Sequence, residues 1–156
     1  MLVLLDTTIL TNFARVGLAQ MIRDLWGEQI CTTVAALREY QAGISTAGLP
    51  PLAWRQLRVL ELAPEEEILA SDRFQRLGLG ERTCLAVAIV RSSILATDDK
   101  LARRAGKQFG IQVIGTIGIL RTCIKQSLLS QSKAQIFLDE MIAAGYYSPT
   151  RNLKDE

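Results

Sequence analysis

Short apolar runs alternate with longer amphipathic stretches along nearly the whole chain. Leu2 to Leu5, Gln29 to Thr32, Leu57 to Leu62, Ser93 to Thr97 and Gln112 to Gly115 are too short for stable helices and read as strands. Between them lie stretches of helical spacing, roughly 8–15, 18–26, 33–43, 64–77, 81–91, 100–109, 116–129 and 133–144, with a further helical stretch around Trp54 after the Gly48-Leu49-Pro50-Pro51 loop. A helix between consecutive strands is a crossover, and crossovers join parallel strands. The expected fold is α/β, with three layers (α/β/α) around a central, mostly parallel sheet of about four to five strands.

A chain of 156 residues that is 49% hydrophobic and 22% charged can bury a core and is not disordered. It reads as one domain over 1–145 with a polar C-terminal tail over 146–156. No apolar run approaches the roughly 20 residues of a membrane span. Met1 leads straight into an apolar run with no basic leader, so the expected location is the cytoplasm, away from membranes.

Composition also narrows the chemistry. There is no histidine, which removes Ser-His-Asp and Cys-His nucleophile systems and His-rich zinc sites. Cys31, Cys84 and Cys123 are odd in number and form no CxxC pair, so each reads as a small buried residue. Any acid–base or metal chemistry therefore rests on carboxylates. Asp6 and Asp98-Asp99 fall where a strand gives way to a helix, and Glu81 falls in the first turn of a helix after Gly78-Leu79-Gly80. Taken singly, each is also what a helix N-terminus favours. Taken together, they lie on one predicted edge, the carboxyl ends of parallel strands, where ligands bind in doubly wound sheets. Two carboxylates about 4 Å apart repel by about 4 kcal/mol at an effective dielectric of roughly 20. A divalent cation relieves that repulsion, and Mg2+ or Mn2+ suits an all-oxygen site. Such a site favours phosphodiester hydrolysis. Glu65-Glu66-Glu67 instead reads as a solvated helix start, and Glu39, on sequence alone, as an exposed helix charge beside Arg38.

Several stretches carry a family resemblance. Leu4-Leu5-Asp6-Thr7-Thr8-Ile9-Leu10 resembles the opening strand and turn of PIN-domain nucleases. Thr32 to Tyr40, Leu79 to Ala88 and Leu95-Ala96-Thr97-Asp98-Asp99-Lys100 are similar to their second, third and fourth acidic segments, in the same order. Val113-Ile114-Gly115-Thr116-Ile117-Gly118-Ile119-Leu120 resembles the last strand and helix start of one bacterial branch, similar to VapC-like toxins. The third acidic position is glutamate where the wider family often has aspartate, and Thr8 stands where many relatives have asparagine or serine.

The resemblance implies a metal-dependent endoribonuclease, the toxin of a type II toxin–antitoxin pair, with an RNA substrate, a small antitoxin protein as partner and a homodimeric state. It implies a catalytic and metal-binding set of Asp6, Glu39, Glu81 and Asp99, with Asp98 as an adjacent metal-binding alternative. Thr7, Thr8 and Thr97 would orient those carboxylates. Candidate contacts to the RNA backbone are Lys100, Arg103, Arg104 and Lys107 on the helix after Asp99, and the i, i+4 pair Arg121 and Lys125. The apolar early helices, with Phe13, Val16, Leu18, Met21 and Ile22, are a candidate dimer surface as well as candidate core. Two competing readings are a catalytically inactive PIN-like interaction module and a receiver-type signalling domain. The second needs paired acidic residues after the first strand, where Asp6 stands alone.

Overall fold

The computed structural model describes residues 1–154. Five strands, β1 (Val3–Leu5), β2 (Ile30–Thr33), β3 (Arg58–Leu60), β4 (Ile94–Ala96) and β5 (Val113–Ile114), form one sheet in the order β3-β2-β1-β4-β5. Every pairing is parallel, with Val3 opposite Ile30 on one side and Ile94 on the other. The helices are α1 (Thr7–Arg15), α2 (Ala19–Trp26), α3 (Val34–Ala47), α4 (Pro64–Arg73), α5 (Leu79–Val90), α6 (Lys100–Gln108), α7 (Thr116–Lys125) and α8 (Gln131–Ala143).

A strand's side chains alternate between the two faces of its sheet, and here each face has its own core. Val3, Leu5, Ile30 and Ala96 pack with Phe13 of α1, Ile22 of α2, Ile119 and Leu120 of α7, and Leu138 and Met141 of α8. Leu4, Cys31 and Leu95 point the other way, onto Leu85 and Val87 of α5, Ala102 of α6, and Phe74 and Leu77. Burial on both faces explains why β1 reads as a continuous apolar run rather than an alternating one. The arrangement is the three-layer α/β/α sandwich expected from the alternation of strand and helix. The three cysteines are buried and free. No helix among the described residues is long and apolar enough to cross a membrane.

Three local expectations change. Around Trp54 there is no helix. The segment makes successive turns, Ala53 N to Pro50 O, Arg55 N to Leu52 O and Leu57 N to Trp54 O. The Trp54 indole enters the core and donates to Leu10 O (2.9 Å). Helix α4 stops at Arg73, because a turn at Phe74 lets both Phe74 and Leu77 reach the second core. Glu66 is not solvated. It is 1% exposed, reaches back to Ala63 N (2.7 Å) and pairs with Arg91 (Nε–Oε1 2.6 Å). Phe13, Leu18 and Ile22 lie inside the first core, with Val16 and Met21 packed against it.

The segment after α8 folds back onto the body. Leu153 is buried in the first core, its N–H donates to Gln135 Oε1 (3.0 Å), and its carbonyl accepts from Arg121 Nε (3.3 Å). Residues 155–156, the end of the expected tail, lie outside the described residues.

Candidate active site

From β1 the chain crosses to β2 on one side, whereas β5 lies beyond β4 on the other. At such a divergence a crevice opens at the carboxyl ends of the two central strands. Asp6 is the first residue after β1, and Thr97-Asp98-Asp99 follow β4.

Asp6 is wholly buried and caps α1. Its Oδ1 accepts the N–H groups of Thr8 (3.0 Å) and Ile9 (3.2 Å) and the Thr8 hydroxyl (2.5 Å). Its Oδ2 accepts the Thr97 hydroxyl. All four donors are neutral. Burial therefore dominates and pushes the carboxyl up to about 7, against the threonine and Ile9 donors and with a further push from Glu81. Both threonines have a second task. Thr8 Oγ1 accepts Asp98 N (3.0 Å), and Thr97 Oγ1 accepts Asp99 N (3.1 Å). The two hydroxyls thus bridge the buried carboxylate to the turn that follows β4.

Glu39 comes from the middle of α3. Its Oε1 accepts Gly80 N at the start of α5 (2.8 Å), and its Oε2 accepts the Thr7 hydroxyl (2.8 Å). The carboxylate sits where the α5 dipole favours negative charge. A Cβ on Gly80 would stand 2.6 Å from both Glu39 Oε2 and Thr7 Oγ1, so this contact requires glycine. A Cβ on Gly78 would stand 2.4 Å from Glu81 Oε2 and 3.9 Å from Glu39 Oε1, so the two glutamates flank one small space.

Glu81 is half-buried in the first turn of α5. Burial raises its carboxyl above the usual range against its own backbone N–H, and Glu39 and Asp99 raise it further. Since Glu81 also acts on Asp6, it faces all three of the other carboxylates electrostatically. Asp99 is half-buried and caps α6, with Oδ1 accepting Ala102 N (2.8 Å). Glu81 and Asp99 line a cleft of about 570 Å³ with Thr7, Thr8 and Asn12.

Asp98 has a different environment from its neighbour. Oδ1 accepts Thr116 N (2.8 Å) and the Tyr146 hydroxyl (3.3 Å), and Oδ2 accepts the Thr116 hydroxyl (2.5 Å) and Asn12 Nδ2 (3.1 Å). Asn12 Nδ2 also reaches Thr116 Oγ1 (3.2 Å). These bonds tie the end of β4 to α1, to the start of α7 and to the segment after α8. Sequence reasoning missed Asn12 and Tyr146. Asn12 lies one helical turn after Thr8, which is a weak signal, and Tyr146 gave none. Thr116 was visible only as a possible helix cap, yet the N-cap of α7 is Gly115.

On α6, Lys100, Arg104 and Lys107 are exposed. Arg103 is half-buried and donates to Thr97 O (3.1 Å), bracing the same turn. Arg121 holds the C-terminal segment through Leu153 O, and Lys125 is exposed.

Among the described residues, no three or more Asp, Glu, Cys or His side chains stand arranged to hold a metal ion. The donor chemistry nonetheless fits a hard divalent cation. The groups are all carboxylates, the neighbours that raise Asp6 and Glu81 are themselves acidic, and the groups steadying Asp6 are neutral. A cation drawing Glu81 and Asp99 together would relieve both effects.

No curated protein matches the sequence. A family model described as a PIN domain matches residues 2–155, nearly the whole chain. The parallel sheet, the acidic edge and this match agree, and the chain belongs to the PIN-domain family, whose members are generally nucleases that use divalent metal ions.

Proposed function

We propose that this protein is a Mg2+- or Mn2+-dependent endoribonuclease of the VapC-like branch, hydrolysing RNA phosphodiester bonds as the toxin of a type II toxin–antitoxin pair. The observation that carries the nuclease reading is the electrostatics of the edge. A buried carboxylate with only neutral donors lies within electrostatic reach of Glu81, which is itself raised by burial and by Glu39 and Asp99.

Asp6, Glu39, Glu81 and Asp99 would hold the metal. When bound, it supplies a Lewis acid for the phosphoryl oxygens and a water of lowered pKa. The chain's own residues do the positioning. Thr8 and Thr97 fix both oxygens of Asp6, while Thr7 and Gly80 fix both oxygens of Glu39. Groups held this way need not reorganise when the substrate arrives. Asp98, tied to Thr116, Asn12 and Tyr146, sets the cleft wall, and Asp99, which acts on Glu81, is the ligand of that pair. Lys100, Arg104 and Lys107 offer positive charge to the RNA backbone, and Arg103 supports them from the turn it braces. The choice of RNA, the antitoxin partner, the homodimer and the cytoplasmic location rest on the family resemblance. A dimer would use a face other than Phe13, Leu18 and Ile22, which are core.

The test incubates the purified protein with total bacterial RNA in magnesium, manganese or EDTA, beside Asp6→Asn. Discrete cleavage that needs both the metal and Asp6 supports the reading. The alternative, a PIN-like interaction module without catalysis, draws on the lack of a preassembled ligand set among the described residues. A folded protein that neither cuts RNA nor binds a divalent ion would establish that alternative.

A further inference from the structure

The cleft beside the carboxylates has a second wall that the sequence did not announce. Gly145, Tyr146 and Tyr147 line it together with Glu81 and Asp99. Gly145 lies at φ +111, a conformation that favours glycine, and the turn there sends the chain back over the cleft. The turn is held at both ends. Arg15 donates to Ala144 O (2.7 Å), and the Tyr146 hydroxyl donates to Asp98 while its ring packs against the first core. Leu153 anchors the segment further on. Between these anchors stands Tyr147, 88% exposed. It is the most exposed large apolar side chain of the described residues, and it stands between anchored neighbours. Lys100, adjacent in sequence to Asp99, places its ammonium 5.9 Å from the Tyr147 ring centroid.

An aromatic ring presented at the rim of a phosphodiester-cleaving cleft, with a cation over one face, has the chemistry of a nucleotide subsite. The ring offers its other π-face to a base, and the ammonium meets the phosphate joined to it. We propose that Tyr147 is a stacking platform for an unpaired nucleobase next to the scissile phosphate, with Lys100 contacting the backbone of the same nucleotide. The substrate class is then single-stranded nucleic acid, because a base inside a duplex has no free face. This inference rests on the nuclease reading above, and it makes Tyr147 a substrate-positioning residue outside the acidic set.

The experiment measures binding without cleavage, in EDTA, so that it does not depend on a working metal site. A short single-stranded oligoribonucleotide is titrated into the parent, Tyr147→Ala, Tyr147→Phe and Lys100→Ala proteins. A Tyr147→Trp protein is read by fluorescence against the parent, which carries Trp26 and Trp54. Stacking predicts affinity roughly 5- to 100-fold weaker in Tyr147→Ala, retained in Tyr147→Phe, and weaker with a shallower salt dependence in Lys100→Ala. It also predicts saturable quenching of the introduced tryptophan by the oligonucleotide, but not by an abasic strand of the same length. Parent-like affinity in Tyr147→Ala, or equal quenching by the abasic strand, would overturn the subsite and leave the nuclease reading standing. Equal affinity for a duplex of the same sequence would overturn the single-strand requirement. A parent that binds no oligonucleotide overturns the subsite, and if it also cuts no RNA in magnesium or manganese, the nuclease reading falls separately.

Discussion

Asp6 and Glu66 are both buried carboxylates, 0% and 1% exposed, and their surroundings could hardly differ more. Glu66 faces Arg91, whose Nε and a terminal amino group meet its two oxygens at 2.6 and 3.1 Å, and it also accepts the Ala63 N–H. Burial works to raise its carboxyl, but the guanidinium and the N–H outweigh burial and hold it below the usual range. Asp6 has threonine hydroxyls and backbone N–H groups, with no cation to answer burial, and it is pushed up to about 7. A buried carboxylate with its own arginine is a finished structural element. One with neutral donors and acidic neighbours is answered by a proton or, in the proposed reading, by a divalent cation.

Substitution should separate the two most sharply. Asp6→Asn keeps a side chain of the same shape but not the charge. RNA cleavage should fall by about 1000-fold or more, with an unchanged circular dichroism spectrum, because the divalent ion loses a ligand. Retention of full cleavage would remove Asp6 from the chemistry.

Stability against pH should show opposite slopes for the two groups. Metal-free native protein holds a proton on Asp6 that the unfolded chain releases between about pH 4 and 7. Stability therefore falls as pH rises through that window, by up to about 4 kcal/mol, and Glu81 acts in the same direction. Glu66, held below its ordinary value, contributes stability above that value and loses it as pH falls through the folded value. Urea melts in EDTA from pH 2 to 8 would check both. In Asp6→Asn the decline should flatten, so that the variant is the more stable protein near pH 8. A parent whose stability rises steadily from pH 5 to 7 would contradict the assignment.

Glu66→Gln should cost about 1–3 kcal/mol in chemical denaturation, since Arg91 is about a third exposed and water takes up part of the lost pairing. RNA cleavage below the melting temperature should be unchanged. A loss of cleavage in the folded variant would mean that the ion pair also shapes the site. The smallest expected effect is at Gly80→Ala. The added methyl must displace Glu39 or Thr7, and cleavage should fall by about 10-fold with little change in stability. Equal loss in Glu39→Gln, and no further loss in the double variant, would show that both act through the Glu39 carboxylate.

The alternation of apolar runs and helical spacing carried the fold, because strand and helix periodicities are local properties of the chain. Short, wholly apolar runs such as Val3-Leu4-Leu5 signal strands buried on both faces, and a parallel sheet follows from the helices between them. The absence of histidine and the recurrence of acidic residues at strand ends were likewise legible, and together they pointed to carboxylate chemistry at one sheet edge.

Other features depended on partners distant in sequence. Nothing local distinguishes Glu66, paired with Arg91, from Glu65 and Glu67. Asp98 and Asp99 are neighbours with the same side chain, yet Thr116, Asn12 and Tyr146 claim one while the other faces Glu81. Trp54 lay in a stretch read as helical, and its indole instead fills a space bounded by Leu10. The polar stretch after α8 reads as a tail, and only its packing makes Tyr147 a wall of the cleft. By itself the sequence determined which elements form and which chemical groups they carry, because those follow from near-neighbour spacing and composition. Tertiary structure alone decided which carboxylate is paired with an arginine, which has only neutral donors, and which side chains share the cleft, because burial and charge pairing depend on residues brought together from far along the chain.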